Sequence, residues 1–180
     1  MYHQTVNHTL KTKLALTMRG SHLFIGLSLV VLSRLIPHPA NVTPLTSVSW
    51  LTGRYCSRIP SILFITLALL LSDSLLSLWY GYPLWGYWSW FTYSGFVGVV
   101  WCGRYIPGYL IGVCSIGYWL WTNFGVWLTS NMYVHSINGL ITCYIAGLPF
   151  LRNALVGDYL WLGVWWCCAW QAMRKINYAT

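Results

Sequence analysis

The sequence predicts an all-α integral membrane protein, a bundle of about six transmembrane helices plus one short interfacial or re-entrant helix. Three observations carry that prediction. The chain is 57% hydrophobic and only 7% charged, whereas soluble domains carry roughly 25% charged residues. Its apolar residues gather into runs punctuated by prolines, glycines and single basic residues. Eight of its ten Lys and Arg residues fall on one side of a six-span arrangement. Charge this sparse cannot coat a water-exposed surface of this size, so lipid is the natural solvent. A length of 180 residues fits one domain.

The first residues, 1–21, are polar and basic, with Lys11, Lys13 and Arg19. They read as a cytoplasmic tail. No small-residue cleavage site follows the first apolar run, so that run is expected to stay in the membrane. A span needs about 20 apolar residues, and fewer where protein surrounds it. The first span is His22 to Ile36 and ends at Pro37. Pro37, His38, Pro39, Ala40 and Asn41 then form a broken polar turn, because neither proline can continue a regular helix. The second span is short, Thr43 to Thr52, and the third, Ile59 to Trp79, is nearly all Leu, Ile and Ser.

The fourth span, Leu84 to Cys102, opens on Trp85, Tyr87, Trp88, Trp90 and Phe91. Such a cluster fits an aromatic belt at the outer interface, with a ligand cage as the alternative. The fifth is Ile106 to Leu128. A helix of about Ser136 to Leu148 is expected to stop at Pro149 and, being short, to lie in the interface or re-enter. The sixth span is Phe150 to Met173. The transmembrane domain is thus 22–173, with residues 174–180 as a second cytoplasmic tail.

Lys11, Lys13 and Arg19 precede span one, Arg54 and Arg58 separate spans two and three, Arg104 separates four and five, and Arg174 and Lys175 follow six. Cytoplasmic loops carry the Lys/Arg excess, so both ends are expected in the cytoplasm, with the protein in the cell's inner (plasma) membrane. Basic residues scattered singly make no stripe for nucleic acid, and no nucleic-acid partner is expected.

Small residues four apart let helices approach closely in lipid. Ser94, Gly98 and Cys102 form one such row, Gly108 and Gly112 a second, and Gly139, Cys143 and Gly147 a third. These rows favour a tightly packed monomeric bundle and leave dimerisation open. The six cysteines contain no CxxC and read as small core residues.

Ionisable groups at membrane depth are costly and mark function or a buried pair. On the six-span topology Arg34 and His38 close span one, and Asn41 follows. Asp73 lies about two turns below the outer end of span three, where Arg34 is its nearest partner by depth. Thr122 and Asn123 end span five, and Asn138 lies in the outer helix. Arg152, Asn153 and Asp158 open span six from outside. Arg152 and Asp158 are six apart and share no helix face. Both carboxylates are therefore expected in the outer half. The simplest picture is a polar cavity open to the outside; the alternative is that these groups only bolt helices together.

A lone His38 makes no metal site, and neither a metal nor a cofactor is expected. No G-x-S-x-G, HExxH or P-loop is present. A lipid-directed enzyme would need a nucleophile or metal constellation that the sequence does not offer, so an enzyme is not expected.

Two stretches carry a family likeness. One is Arg34-Leu35-Ile36-Pro37-His38-Pro39-Ala40-Asn41-Val42-Thr43-Pro44. The other runs from Thr122-Asn123-Phe124-Gly125 through Leu148-Pro149-Phe150-Leu151-Arg152-Asn153 to Gly157-Asp158. With Ser72-Asp73 they resemble a bacterial family of uncharacterised multi-pass membrane proteins, itself similar to the substrate-binding (S) components of energy-coupling factor transporters. That resemblance implies a six-helix protein that binds a small solute from outside and partners a coupling membrane subunit and ATPases. Span one, Leu23 to Leu35, lacks the Ala-xxx-Ala pair with which many S components dock.

The expected function is binding or transport of an unknown small solute in an outer pocket lined by Arg34, His38, Asn41, Asp73, Asn123, Arg152, Asn153 and Asp158. Its arginines would suit an anionic group and its carboxylates an amine or cation. The alternative is a structural membrane scaffold.

Overall fold

The computed structural model describes residues 20–81 and 83–178. Lys11, Lys13 and Arg19 of the expected first tail lie outside them. Among the described residues every regular element is helical: α1 (Gly20–Leu35), α2 (Leu45–Tyr55), α3 (Arg58–Tyr80), α4 (Tyr87–Cys102), α5 (Ile111–Thr129) and α6 (Ile137–Tyr178), with a 3-10 turn at Gly108–Leu110 before α5. The all-α expectation stands.

The bundle is organised around its shortest member. α2 has 11 residues, roughly 16 Å of helix, which is about half of the hydrocarbon core. Leu45 to Trp50 and Gly53 are buried, and α3, α4, α5 and α6 all pack against it. Two of its hydroxyls bond to backbone carbonyls, while that of Ser49 is buried without a partner among the described residues. Ser47 Oγ donates to the Pro44 carbonyl at 2.9 Å, and Thr52 Oγ1 to that of Val48 at 2.9 Å. Trp50, also enclosed, donates its indole N–H to the Ile106 carbonyl at 2.8 Å. Val30, Leu45, Val48, Ile65, Ala68, Leu69, Phe96 and Val100 form the larger apolar core, and Trp50, Val99, Ile111 and Cys114 the smaller.

α3 turns the pattern of a water-soluble helix inside out. Its buried face is Ser61, Ile65, Ala68, Leu69 and Ser72. Its opposite face exposes Ile59, Leu63, Leu67, Leu71 and Leu75, one residue every turn along the helix. Small and hydroxylated residues inside with large apolar ones outside is the arrangement that lipid favours. α3 stops at Gly81, whose left-handed backbone (φ 69°) returns its N–H to the Ser77 carbonyl at 2.8 Å. Two helices, α3 and α6 over Ile137–Cys168, are long and apolar enough to cross a membrane.

Pro149 does not stop the helix. The expected short helix Ser136–Leu148 and span six, Phe150–Met173, are one continuous element, α6. A proline removes one helical hydrogen bond, and in apolar surroundings neighbouring helices can support such a break. Here α5 grips α6 beside the proline. The Trp119 indole donates to the Gly147 carbonyl at 2.9 Å, and the Tyr144 hydroxyl donates back to the Leu120 carbonyl at 3.1 Å.

The small-residue rows divide. A Cβ at Gly147 would sit 2.6 Å from Asn123 Oδ1, and one at Gly112 would sit 3.1 Å from the Tyr159 hydroxyl. Both mark the α5–α6 contact. Gly139 instead meets the backbone of nearby Val134. On α4 the expectation fails: Gly98 faces open space, and the glycine against α5 is Gly95, where a Cβ would come within 2.8 Å of the Tyr118 ring. The closest approach of two helices is α2 on α4, where a Cβ at Gly53 would overlap the Val100 carbonyl. Two of the six cysteines, Cys114 and Cys143, are core residues; Cys56 and Cys102 are half-buried, and Cys167 and Cys168 are exposed.

The glycine contacts give a paired expectation for thermal unfolding in detergent. Gly53→Ala forces two backbones apart and costs about 1–3 kcal/mol. Gly98→Ala meets nothing and leaves stability unchanged or raised by up to about 1 kcal/mol through helix propensity.

Candidate functional site

Three helices meet at one ion pair. Arg34 lies on the last turn of α1 and Asp73 about two-thirds along α3, and parallel packing of these helices, with Gly26 beside Phe64 lower down, brings them to one level. Arg34 Nη1 donates to Asp73 Oδ1 at 2.6 Å and to the Ser72 hydroxyl. Ser72 in turn donates to the Ala68 carbonyl at 2.6 Å. The other carboxylate oxygen, Oδ2, accepts the Tyr93 hydroxyl of α4 at 3.0 Å. Both charged side chains are largely enclosed, at 17% and 22% exposure.

This pair floors a pocket of about 230 Å³. Its polar lining adds Ser77, Ser89, Thr92 and Tyr93, and its apolar lining is Leu76, Pro83, Leu84 and Trp88. Trp85 packs on the Tyr93 ring with centroids 5.3 Å apart and steadies the wall that holds the hydroxyl. The charges of Arg34 and Asp73 cancel at hydrogen-bond range. The pocket therefore offers oriented dipoles and an aromatic face rather than a free cation or a free carboxylate.

Of the eight residues expected to share a pocket, only Arg34 and Asp73 line this one. His38 and Asn41 lie in the turn between α1 and α2. His38 Nδ1 is 2.5 Å from the Ile36 carbonyl, and Asn41 takes the left-handed conformation (φ 67°) that lets the turn reverse. Asn123 Nδ2 donates to the Trp119 carbonyl in its own helix at 2.9 Å, and its side chain packs on Gly147. Arg152 is exposed and Asn153 half-buried on α6.

Asp158 is the main correction. Because α6 runs unbroken from Ile137, Asp158 lies roughly 31 Å along it, not at the head of a new span. It faces Ser115 near the start of α5, and its neighbour Tyr159 donates to the Tyr109 carbonyl at 3.0 Å. Its other partner, Thr46, opens α2, roughly 12 Å along that helix from Arg54, so Asp158 lies between the pocket and the arginine end. The two carboxylates therefore do not share an outer cavity. Asp158 is 1% exposed, accepts the Ser115 hydroxyl at 2.6 Å and bonds the Thr46 side chain. It joins α2, α5 and α6 and makes no ion pair among the described residues. No group of three or more His, Cys, Asp or Glu side chains is placed to hold a metal among those residues either.

Tyr93, Thr92, Ser115 and Thr46 were not anticipated as site residues. Tyr93 had a signal: Asp73 and Tyr93 lie equally far on either side of Pro83, so a helical hairpin turning there puts them at one level. Thr46 and Ser115 had none, since their meeting depends on α6 passing through Pro149.

Residues 16–178 match a family of unknown function, DUF6580, and the chain belongs to that family. Neither the curated proteins nor the solved structures contain a match to it.

The two carboxylates predict opposite behaviour in unfolding measurements. Asp73→Asn strands the Arg34 cation and costs roughly 1–3 kcal/mol, between the surface and fully buried cases. Arg34→Met combined with Asp73→Leu costs less than either single change, giving a strong coupling in a double-mutant cycle. Asp158→Asn keeps an acceptor for Ser115, removes a buried charge and stays within about 1 kcal/mol of the parent. Asp158→Ala leaves the two hydroxyls unanswered and costs about 2 kcal/mol or more.

Proposed function

We propose that this family member is a multi-pass membrane protein that binds a small polar solute, neutral or zwitterionic, in the pocket beside Arg34 and Asp73, and carries it across the bilayer. The observation that carries the reading is the pocket itself: a self-neutralised ion pair lined around by hydroxyls and by the Trp88 ring. Small-molecule sites combine apolar walls with a few oriented polar groups in this way. A free anion would find Arg34 already occupied, so a fully anionic solute fits less well.

The membrane setting rests on the leucine face of α3 and on the length of α3 and α6. On this reading α1, α3, α4, α5 and α6 cross the bilayer. The turn at residues 37–44 and the short α2 together make a further crossing. Irregular backbone is tolerated at such depth only when protein encloses it. Val42 packs against Gly157 of α6 and Pro44 is buried, while Pro37, Pro39, Ala40 and Asn41 are exposed and on this reading lie at the membrane surface. The end bearing Arg54, Arg58 and Arg104 faces the cytoplasm by the positive-inside rule, both termini lie on that side, and the pocket opens toward the opposite one. A coupling subunit and ATPases, as the likeness to S components implies, belong to the same proposal. They would need a docking face other than an Ala-xxx-Ala pair on α1.

One observation favours a second reading, a structural scaffold. Both oxygens of Asp73 are already satisfied, by Arg34 and Tyr93, which is what a pair that only fastens helices requires.

Thermal-shift measurements on purified protein separate the two. A panel of vitamins, nucleosides and small zwitterions should contain a solute that raises the melting temperature. Trp88→Ala should abolish that rise while leaving the ligand-free melting temperature nearly unchanged, because Trp88 is 47% exposed. A panel with no stabilising solute, together with recovery of a stoichiometric protein partner, would support the scaffold.

A further inference from the structure

At the end of the bundle away from the pocket, three arginines converge from separate stretches of chain. Arg54 closes α2, Arg58 opens α3, and Arg104 sits in the turn after α4. The Arg54 guanidinium donates to the carbonyls of Gly103 at 3.3 Å and Arg104 at 3.5 Å, and lies 5.5 Å from the Trp50 ring centre. Arg58 rests 4.0 Å over the exposed Trp101 ring and donates to the Tyr105 hydroxyl at 3.1 Å. Its Nε is buried and has no hydrogen-bond partner.

No acidic side chain can answer these cations. The whole chain has two, Asp73 and Asp158. The first is committed to Arg34 and Tyr93, and the second is enclosed between Ser115 and Thr46. Carbonyls and ring faces hold Arg54 and Arg58, the exposed Arg104 belongs to the turn that Arg54 grips, and these positive charges are left without a counter-ion among the described residues. Trp101, Tyr105 and Ile59 beside them are exposed, so the surroundings are apolar and aromatic rather than polar. A ligand that fits must be anionic at its head and apolar immediately beyond it.

We propose that Arg54, Arg58 and Arg104 bind the phosphate headgroup of an anionic phospholipid, with its acyl chains running along the apolar surface beside Trp101. Guanidinium groups match phosphate oxygens in pairs, and each basic residue at the surface of an anionic leaflet adds to the attraction. Arg58 is held in place by Trp101 and Tyr105, while Arg104, more exposed, closes on the phosphate. This site rests on the membrane reading above but not on any solute in the pocket.

The test is lipid retention. Protein in nanodiscs of equal phosphatidylglycerol and phosphatidylcholine is released and its bound lipids counted by native mass spectrometry. The parent should retain phosphatidylglycerol in excess of the bulk ratio. Arg54→Gln with Arg104→Gln should bring the ratio back to bulk, and the corresponding lysine pair should keep most of the excess. Should the glutamine pair fail to fold by circular dichroism, Arg104→Gln alone should still lower the ratio, since the Arg104 side chain is exposed. Equal retention of both lipids by the parent, or an excess unchanged in the glutamine variants, overturns the site. Inorganic phosphate stabilising the detergent-solubilised protein as well as phosphatidylglycerol does would overturn the lipid assignment in favour of a free-anion site. Failure of the membrane reading would show separately, as a chain recovered in the soluble fraction.

Discussion

The Arg34–Asp73 pair ties α1 to α3, and through Tyr93 it ties both to α4. α1 packs chiefly on α3, so this contact decides where α1 stands. Partial burial gives the contact its force. An exposed pair contributes little, whereas an enclosed one is costly to break because the surviving charge has nowhere to go. The pocket is a by-product of the same geometry. Three helices pinned at one level by a charged pair leave a gap above it, toward Pro83 and Trp88.

The second constraint acts at the centre. α2 is too short and too hydroxylated to stand alone in an apolar medium, and four helices enclose it. The hydroxyls of Ser47 and Thr52 turn onto backbone carbonyls, its tryptophan reaches the loop before α5, and its glycine lets α4 come to backbone contact. Asp158 belongs to this system rather than to the pocket. It gathers hydroxyls from α2 and α5 onto α6 and holds three helices at one point.

Much of this was legible in the sequence, and the failures have identifiable causes. Apolar runs between prolines and basic residues located five of the helices to within a few residues. Depth matching named Arg34 as the partner of Asp73 before any coordinates, because two charges at one level in apolar surroundings must find each other. Pro149 misled because a proline stops a helix only where nothing supports the break, and the support comes from Trp119 and Tyr144, contacts invisible in one dimension. That one error set Asp158 too near the outer end and made one pocket of two polar sites. Gly98 misled for a different reason. A small residue permits close approach but does not compel it, and Gly95 took the role instead.

The burial of α2 also bears on how the chain comes to be assembled. All four helices that enclose it, α3 to α6, follow it in the sequence and so leave the ribosome later. Until they arrive, its serines and threonines face lipid or an insertion machinery, with little apolar surface to hold them there. Among the described helices the second to be made is therefore enclosed only after all those that follow it. A chain cut before α6 would lack the partner that carries Asp158 to Thr46, and the centre of the molecule would stay open to quality control.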